Sequence, residues 1–88
     1  MDLTTSMSPK DIQAVIAHCA RQVLPHLGNH QFKRDDRLVE LGANSIDRSE
    51  IVLLVLESMN LPLPRTAVHG ARDLGELADL LHEKSRCL

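Results

Sequence analysis

Ser45 lies where an apolar segment begins, directly after Leu41-Gly42-Ala43-Asn44. A serine at the start of a helix ordinarily caps it, by accepting a hydrogen bond from a backbone N–H. The same hydroxyl also lies near free N–H groups and the positive end of the helix dipole, where an attached phosphate would be stabilised. Gly42 and Ala43 offer little bulk to obstruct a modifying enzyme. Ser45 is therefore a candidate modification site, with helix capping as the alternative.

The helix that begins near Ser45 is predicted to run to about Met59, because Asn60 and two prolines follow it. Its apolar residues fall on two faces. One face is predicted to be core and holds Ile51, Val52, Val55 and Met59. The opposite face holds Ile46, Leu53 and Leu56, interleaved with Glu50 and Glu57 and flanked by Asp47. Exposed apolar residues rimmed by carboxylates are typical of a docking surface, and the alternative is that the long loop or the last helix covers this face.

The remaining reactive side chains do not form a recognisable catalytic or metal site. No nucleophile, base and orienting acid can be assembled from their spacing, so the chain is predicted not to be an enzyme. The histidines are scattered over different elements, without the short paired spacings of a zinc site; they are His18, His26, His30, His69 and His82. Cys19 lies in an apolar helical stripe and Cys87 near the end of the chain, so both are expected to be free thiols.

Length and composition favour one small all-α domain. The chain has 88 residues, of which 43% are hydrophobic and 1% aromatic, a composition that suits helices better than a β-sandwich. A net charge of -2 argues against nucleic-acid binding. The longest apolar stretch, residues 51–56, is too short to span a membrane, and the first residues lack a signal-peptide pattern. A cytoplasmic protein is expected.

Helix signals divide the chain into three main helices. Ser8 and Pro9 form an N-cap and first helical residue, with Asp11 in the first turn, and Pro25 ends this helix near Leu24. Its apolar stripe consists of Ile12, Val15, Ile16, Cys19 and Val23. The last helix is predicted to begin at Asp73 with Glu76 completing a capping box, and to bury Leu74, Leu77, Ala78 and Leu81.

Two connections separate the main helices. Residues 28–44 are predicted to be a long ordered loop, which Phe32, Leu38 and Leu41 attach to the core while the charged run 33–37 faces solvent. Residues 65–70 are predicted to hold a short helical turn. The expected organisation is a disordered leader over 1–7, a folded domain over 8–84 and a tail over 85–88.

The residues around Ser45 resemble those of a known family. Asp36, Leu38 and the run from Leu41 to Ile46 follow the pattern D-x-L-x-x-L-G-x-(D/H/N)-S-(L/I), and Asp47, Glu50, Ile51, Leu61, Leu63 and Pro64 extend the similarity. This pattern is the signature of the acyl carrier proteins, and the resemblance covers about residues 9–84.

The resemblance implies a fold, a cofactor and a docking face. It implies a four-helix bundle of three main helices and one short helix. It also implies that Ser45 receives 4′-phosphopantetheine from coenzyme A through a Mg²⁺-dependent phosphopantetheinyl transferase, so that the thiol of this arm, and neither cysteine, carries acyl groups as thioesters. Partner enzymes would dock on the second helix, at Ile46, Asp47, Glu50, Leu53 and Glu57.

A finer resemblance concerns the pathway. Asn44 stands where aspartate is commonest in the family, and the run from Gly42 to Arg48 is most similar to free-standing carriers of polyketide β-branching cassettes. Such carriers donate an acetyl-type unit, formed by decarboxylation of a malonyl group, to a hydroxymethylglutaryl-CoA (HMG-CoA)-synthase-like enzyme. Their other partners would be an acyltransferase and a decarboxylating ketosynthase, and the protein would be a monomer. The alternatives are a fatty-acid or aminoacyl carrier and an unmodified helical adaptor.

Overall fold

Three α-helices make up the regular structure of this protein. The structure is a computed structural model and describes residues 7–86. They are α1 (Pro9–Val23), α2 (Ser45–Ser58) and α3 (Leu74–Arg86), and 3-10 turns occupy Pro25–Leu27 and Arg65–Val68. Residues 7–86 contain no strand. The predicted all-α class is confirmed. The predicted short fourth helix is a single 3-10 turn, so the bundle has three α-helices.

Local signals define both ends of α1. The Ser8 hydroxyl accepts a hydrogen bond from the Asp11 N–H at 3.2 Å, and the Asp11 carboxylate accepts one from the Ser8 N–H at 3.1 Å. This reciprocal capping box satisfies N–H groups that have no partner within the helix. Pro9 occupies the first helical position, and the helix ends two residues before Pro25. The predicted bounds of α1 are confirmed.

The core lies where α1 packs against both α2 and α3. The residues of α1 that are fully covered are Ile12, Ile16, Ala17, Cys19 and Ala20, whereas Val15 and Val23 are half-buried against this core. From α3, the predicted set of Leu74, Leu77, Ala78 and Leu81 is buried. Among residues 7–86 no polar or charged side chain is fully buried. Hydrophobic burial between helices therefore holds the bundle together.

The long connection between α1 and α2 is attached to the rest of the fold at several points. Phe32, Leu38 and Leu41 pack against the core, as predicted. The predicted solvated charge run is only partly exposed, because Asp36 is half-buried. Backbone carbonyls of this run also accept hydrogen bonds from the start of α3. The Gly75 N–H donates to the Arg34 carbonyl at 2.8 Å, and the Leu74 N–H donates to the Asp36 carbonyl at 3.0 Å. The loop thus satisfies helix N–H groups that would otherwise lack partners.

The start of α3 differs in detail from the predicted capping box. Asp73 caps the helix, since its Oδ1 accepts from the Glu76 N–H at 2.8 Å. The Glu76 carboxylate accepts from the Arg72 N–H at 2.7 Å instead of from Asp73. The return bond therefore reaches one residue further back than the sequence pattern indicates. At its other end α3 runs to Arg86, so residues 85 and 86 of the predicted tail are helical.

The predicted termini fall mostly outside the described residues. Of the proposed leader only Met7 is described, and its side chain packs against the core. Residues 87 and 88 of the proposed tail, including Cys87, are not described. Within residues 7–86, no helix is long and apolar enough to cross a bilayer, and no three His, Cys, Asp or Glu side chains are grouped as metal ligands would be.

Candidate functional site

Asn44, not Ser45, caps α2. The Asn44 side-chain oxygen accepts from the Asp47 N–H at 2.8 Å, and the Asp47 carboxylate accepts from the Asn44 N–H at 3.1 Å. Ser45 is the first residue with helical geometry, next to the N-cap. A complete capping box therefore forms without the serine hydroxyl. The alternative role of Ser45 as a helix cap is excluded by this geometry.

The Ser45 side chain is exposed, and its hydroxyl makes no hydrogen bond within residues 7–86. The backbone N–H groups of Ser45 and Ile46 have no acceptor in the same part of the chain, as expected for the first turn of a helix. The hydroxyl thus stands beside free donors at the positive end of the α2 dipole. An anionic group attached to it would be stabilised there by about 0.3–1 kcal/mol.

The turn before Ser45 depends on Gly42 and Ala43 in different ways. Gly42 has a φ of 101°, a conformation that side chains with a Cβ rarely adopt. A Cβ there would also lie 3.3 Å from Nε2 of His26, whose ring is hydrogen-bonded to the Leu41 carbonyl at 3.0 Å. Ala43 is buried in the core. Gly42 permits the turn and Ala43 anchors it, so that the serine is presented outward.

Four of the five predicted docking residues form one stripe along the exposed side of α2. Ile46, Glu50, Leu53 and Glu57 follow each other at intervals of four, three and four residues, which places them on one face. The side chains of Ile46 and Leu53 are 75% and 41% exposed. Asp47, the fifth predicted residue, is half-buried and its carboxylate belongs to the capping box. We call Ile46, Glu50, Leu53 and Glu57 the exposed stripe.

Leu56 was predicted on the exposed face, and this prediction is wrong: its side chain is 3% exposed. The cause is the way α2 ends. Asn60 adopts a left-handed φ of 57°, the Leu61 N–H donates to the Leu56 carbonyl at 2.9 Å and the Asn60 N–H to the Glu57 carbonyl at 3.1 Å. This is a Schellman motif, which brings the apolar residue after the turn against the helix. Leu61 and Leu56 accordingly share the core.

A second stripe of α2 faces a cavity of about 430 Å³. It consists of Ser45, Arg48, Ser49 and Val52, and the opposite walls are the Leu38–Val39 part of the loop, residues 65–69 and the start of α3. The sequence interpretation missed this cavity and its arginines. The spacing of residues 45, 48, 49 and 52 is helical and indicates a common face. The elements that form the opposite walls are distant in sequence, so the spacing does not show that a cavity lies there.

The geometry agrees with the similarity of this chain to known proteins. It matches no protein-family model. It is 49% identical over 63 residues to the polyketide biosynthesis acyl-carrier-protein AcpK of Bacillus subtilis (strain 168), a match that covers 72% of this chain and 77% of that protein. The chain belongs to the acyl carrier protein family.

A solved structure supports the same assignment. The acyl carrier protein described here aligns with a chain from the crystal structure of the Curacin biosynthetic pathway HMG synthase in complex with acetyl donor-ACP. The TM-score is 0.84 and the identity 35%, over 88% of this chain and 99% of the other. The predicted resemblance to polyketide carriers is confirmed. Because acyl carrier proteins carry acyl groups and do not catalyse reactions, the predicted non-enzymatic class is confirmed as well.

The family works through a phosphopantetheine prosthetic group, and the residues at the start of α2 fit such a group. The Ser45 hydroxyl is exposed and has no structural task, and two free N–H groups lie beside it. The cavity next to it is lined by both apolar and cationic side chains. A phosphodiester attached at Ser45 would lie beside these N–H donors.

Cys19 does not compete with such an arm as an acyl carrier. Its side chain is 1% exposed, and its Sγ lies 3.8 Å from the Ser58 hydroxyl. Burial raises the pKa of the Cys19 thiol, and the hydrogen bond with Ser58 only partly opposes this. The reactive form of cysteine is the thiolate. A buried thiol with a raised pKa is therefore structural.

Proposed function

We propose that this protein is a discrete donor acyl carrier protein of polyketide biosynthesis, whose Ser45 carries 4′-phosphopantetheine. In this role a phosphopantetheinyl transferase modifies Ser45, and the exposed stripe docks an HMG-CoA-synthase-like enzyme that accepts the acyl unit. The proposal rests above all on one observation: Ser45 is exposed at the first position of α2 while Asn44 and Asp47 perform the capping.

The chain's own contribution is to present Ser45, to orient the arm attached to it and to protect the bound acyl group. When bound, the phosphopantetheine supplies a thiol that holds acyl groups as thioesters. The capping box fixes the position of the Ser45 backbone, and Gly42, with a φ of 101°, permits the turn that precedes the serine. The free N–H groups of Ser45 and Ile46 would stabilise the phosphate attached to the serine. The cavity beside Ser45 provides partial shelter from water.

Charge and apolar area on the exposed stripe support docking. Glu50 and Glu57 are exposed and form no ion pair within residues 7–86, and Ile46 and Leu53 supply apolar surface between them. Such a pattern suits a partner surface with an apolar centre and basic rim. The structural neighbour comes from the crystal structure of an HMG synthase in complex with acetyl donor-ACP, which supports an HMG-CoA-synthase-like enzyme as the partner.

The donor role requires further partners that act on the same arm. An acyltransferase would load a malonyl group and a ketosynthase-like enzyme would decarboxylate it, leaving the acetyl-type unit that is donated. Both enzymes must reach the thiol at the end of the arm, so we expect them to use the exposed stripe as well. The similarity to AcpK of polyketide biosynthesis favours this role over fatty-acid or aminoacyl transport.

Modification of Ser45 is tested by intact mass spectrometry. The purified protein is incubated with coenzyme A, Mg²⁺ and a broad-specificity phosphopantetheinyl transferase. We expect the wild type to gain the mass of one phosphopantetheine and Ser45→Ala to gain none. Ser49→Ala is the matched control, because Ser49 lines the same cavity one turn later and should leave the mass gain intact. No gain on folded wild type would refute the proposal.

The donor role is tested with the loaded protein. Acetylated wild type is mixed with an HMG-CoA-synthase-like enzyme, and transfer of the acetyl group to the enzyme is followed by intact mass. We expect the loaded carrier to acetylate the enzyme faster than the same concentration of acetyl-CoA does. Equal transfer from both would show that the enzyme does not recognise this carrier.

A further inference from the structure

The cavity beside Ser45 combines an apolar floor with a cationic rim. The floor is formed by residues from the loop, α2, the second 3-10 turn and α3, namely Leu38, Val52, Val68, Leu74 and Leu77. The rim carries Arg48 from α2, Arg65 and His69 from the 3-10 turn region, and Arg72 just before α3. Three arginines from different parts of the fold therefore line the cavity together with its apolar residues.

The cations are only partly compensated by nearby carboxylates. Arg72 pairs with Glu76 at 3.5 Å. Asp73 is the single carboxylate among the described residues that line the cavity, and its Oδ1 is engaged by the Glu76 N–H at the start of α3. Arg48 and Arg65 form no ion pair within residues 7–86. Two arginines from different elements thus line the cavity without an ion-pair partner in the described residues.

The arginines of the cavity contrast with the net charge of -2 of the whole chain. Of the acidic residues of α2, Glu50 and Glu57 lie on the exposed stripe and Asp47 belongs to the capping box, and none of the three lines the cavity. Guanidinium groups bind carboxylates through paired, charge-assisted hydrogen bonds. The floor would accommodate a few methylene groups but offers no polar partner for them. A short acyl chain that ends in a carboxylate matches both parts of the cavity.

Attachment at Ser45 would make even a weak site effective. Ser45 lines the cavity itself, so an acyl group on an arm at this residue binds intramolecularly. Short flexible tethers give effective concentrations in the millimolar range. An exposed guanidinium–carboxylate pair contributes little by itself, but the tether supplies the proximity that a free acid would lack.

We propose that Arg48 and Arg65 form an anion-binding rim that retains acyl cargo with a terminal carboxylate in the cavity, in preference to neutral cargo of the same length. This inference rests on the proposed attachment of the arm at Ser45. The cargo class is the half-thioester of a short dicarboxylic acid, in which one carboxyl group is bound to the arm and the other is free. A docked neutral chain would occupy the floor without engaging either guanidinium group.

The test uses two arms that differ only in the terminal group. Hydrolysis-resistant amide analogues of succinyl- and butyryl-coenzyme A are loaded on Ser45 by the transferase, with the succinyl carboxyl carbon enriched in ¹³C. The acid dissociation constant of this carboxyl is measured by NMR titration on the protein and on the free coenzyme A analogue. We expect it to be about two- to fivefold larger on the wild type, since nearby cations favour the carboxylate.

Matched variants identify the groups responsible. Arg48→Gln/Arg65→Gln should return the dissociation constant to that of the free analogue, whereas Arg37→Gln should retain the wild-type value. Arg37 is also exposed but does not line the cavity, so this control removes one charge of the same kind. Thermal melting of all three proteins confirms that the exposed substitutions leave the fold intact.

Two results would overturn the inference. One is the same dissociation constant on wild type and on the double variant. The other is that the NMR resonances of the Arg48 and Arg65 side chains shift as much with the butyryl arm as with the succinyl arm. The two arginines would then bind the phosphodiester of the arm and not the terminal carboxylate. Intact mass separates these results from failure of the proposed function, because an unloaded protein shows that Ser45 is not the attachment site.

Discussion

At the scale of single residues, the start of α2 divides its tasks among neighbours. Asn44 and Asp47 exchange the two capping hydrogen bonds, at 2.8 and 3.1 Å, and Ser45 between them makes none. A side chain that stabilises the helix cannot be modified without loss of stability. The separation of these tasks lets Ser45 change its chemical state while the helix stays capped.

This division predicts different effects of two adjacent substitutions. Asn44→Ala removes the acceptor for the Asp47 N–H and should lower the free energy of unfolding by about 1 kcal/mol, which lowers Tm by about 4–8 °C in a domain of this size. Ser45→Ala should change Tm little. Thermal unfolding followed by circular dichroism measures both. An equal loss for the two variants would mean that the serine hydroxyl also caps the helix.

Cys19 allows a second prediction at this scale. Because burial raises the pKa of its thiol, Cys19 in native protein should react with a maleimide at least about tenfold more slowly than in urea-unfolded protein. The experiment uses Cys87→Ser, so that Cys19 is the only cysteine of the chain. After loading with phosphopantetheine, one additional thiol should react rapidly. Fast labelling of native, unloaded protein would contradict the buried, protonated state.

At the scale of elements, α2 presents three faces with different surroundings. Ile51, Val55 and Leu56 are buried in the core, the exposed stripe faces solvent, and Ser45, Arg48, Ser49 and Val52 face the cavity. A helix of 14 residues thus contributes to the core and also presents the proposed docking stripe and the proposed attachment site. The three tasks are separable because each occupies its own side of the helix.

Leu53 and Leu56 provide a matched pair for testing these faces. Leu56→Ala should lower the free energy of unfolding by about 2–5 kcal/mol, because it leaves a cavity in the core. Leu53→Ala should lower it by less than about 1 kcal/mol and instead slow acyl transfer to the partner enzyme. Urea unfolding and transfer rates measure the two effects. The assignment of faces would be wrong if Leu53→Ala were the more destabilising substitution.

Charge reversal on the exposed stripe tests electrostatic docking. Glu50→Lys or Glu57→Lys should slow transfer roughly two- to tenfold at low salt, with Tm nearly unchanged because both side chains are exposed. The difference from wild type should shrink as ionic strength rises, since salt screens exposed charges. Glu83→Lys, an exposed position on α3, serves as the control. Equal rates for all three variants would exclude steering by this stripe.

At the scale of the whole molecule, the loop 28–44 connects elements that are distant in the chain. Asp36 lies at the centre of these contacts: its carboxylate accepts from His30 Nε2 at 2.9 Å and from the Lys33 N–H at 2.8 Å, and its carbonyl accepts from the Leu74 N–H. Arg21 of α1 donates to the His30 carbonyl at 2.9 Å and lies over the Phe32 ring. These contacts hold the loop between α1 and α3.

The loop contacts predict an acid-dependent loss of stability. Burial alone would raise the pKa of Asp36, but hydrogen bonds from Lys33 and His30 and their positive charges outweigh it, so the pKa is lowered. A carboxyl whose pKa is lowered on folding stabilises the fold above its unfolded pKa of about 3.9 and loses this contribution as pH falls. Urea unfolding of wild type and Asp36→Asn should therefore differ at pH 6 and converge towards pH 3.

The neighbouring carboxyl provides the control for this measurement. Asp35 is exposed and makes no hydrogen bond to another side chain within residues 7–86. Asp35→Asn should keep the wild-type stability within about 0.5 kcal/mol at pH 6. If Asp36→Asn lost no more stability than Asp35→Asn at this pH, the half-buried carboxylate would not be what fixes the loop.

Local signals in the sequence determined the helices and the proposed attachment site of this carrier. Ser8 with Asp11 and the prolines define α1, and the pattern around Ser45 identified the serine, because caps, turns and helical periodicity depend on residues a few positions apart. These interactions are short-range, and sequence spacing reports them directly. The exposed stripe followed from the same periodicity.

Only the tertiary structure decided what covers each face. Leu56 is buried because the chain reverses at Asn60 and returns Leu61 to the helix, and Arg65 meets Arg48 at one cavity because α2 and the 3-10 turn pack together. Asp36 acts on α3 from nearly forty positions away, through its bond with Leu74. Such contacts depend on the path of the whole chain, since residues far apart in sequence meet only when the core forms.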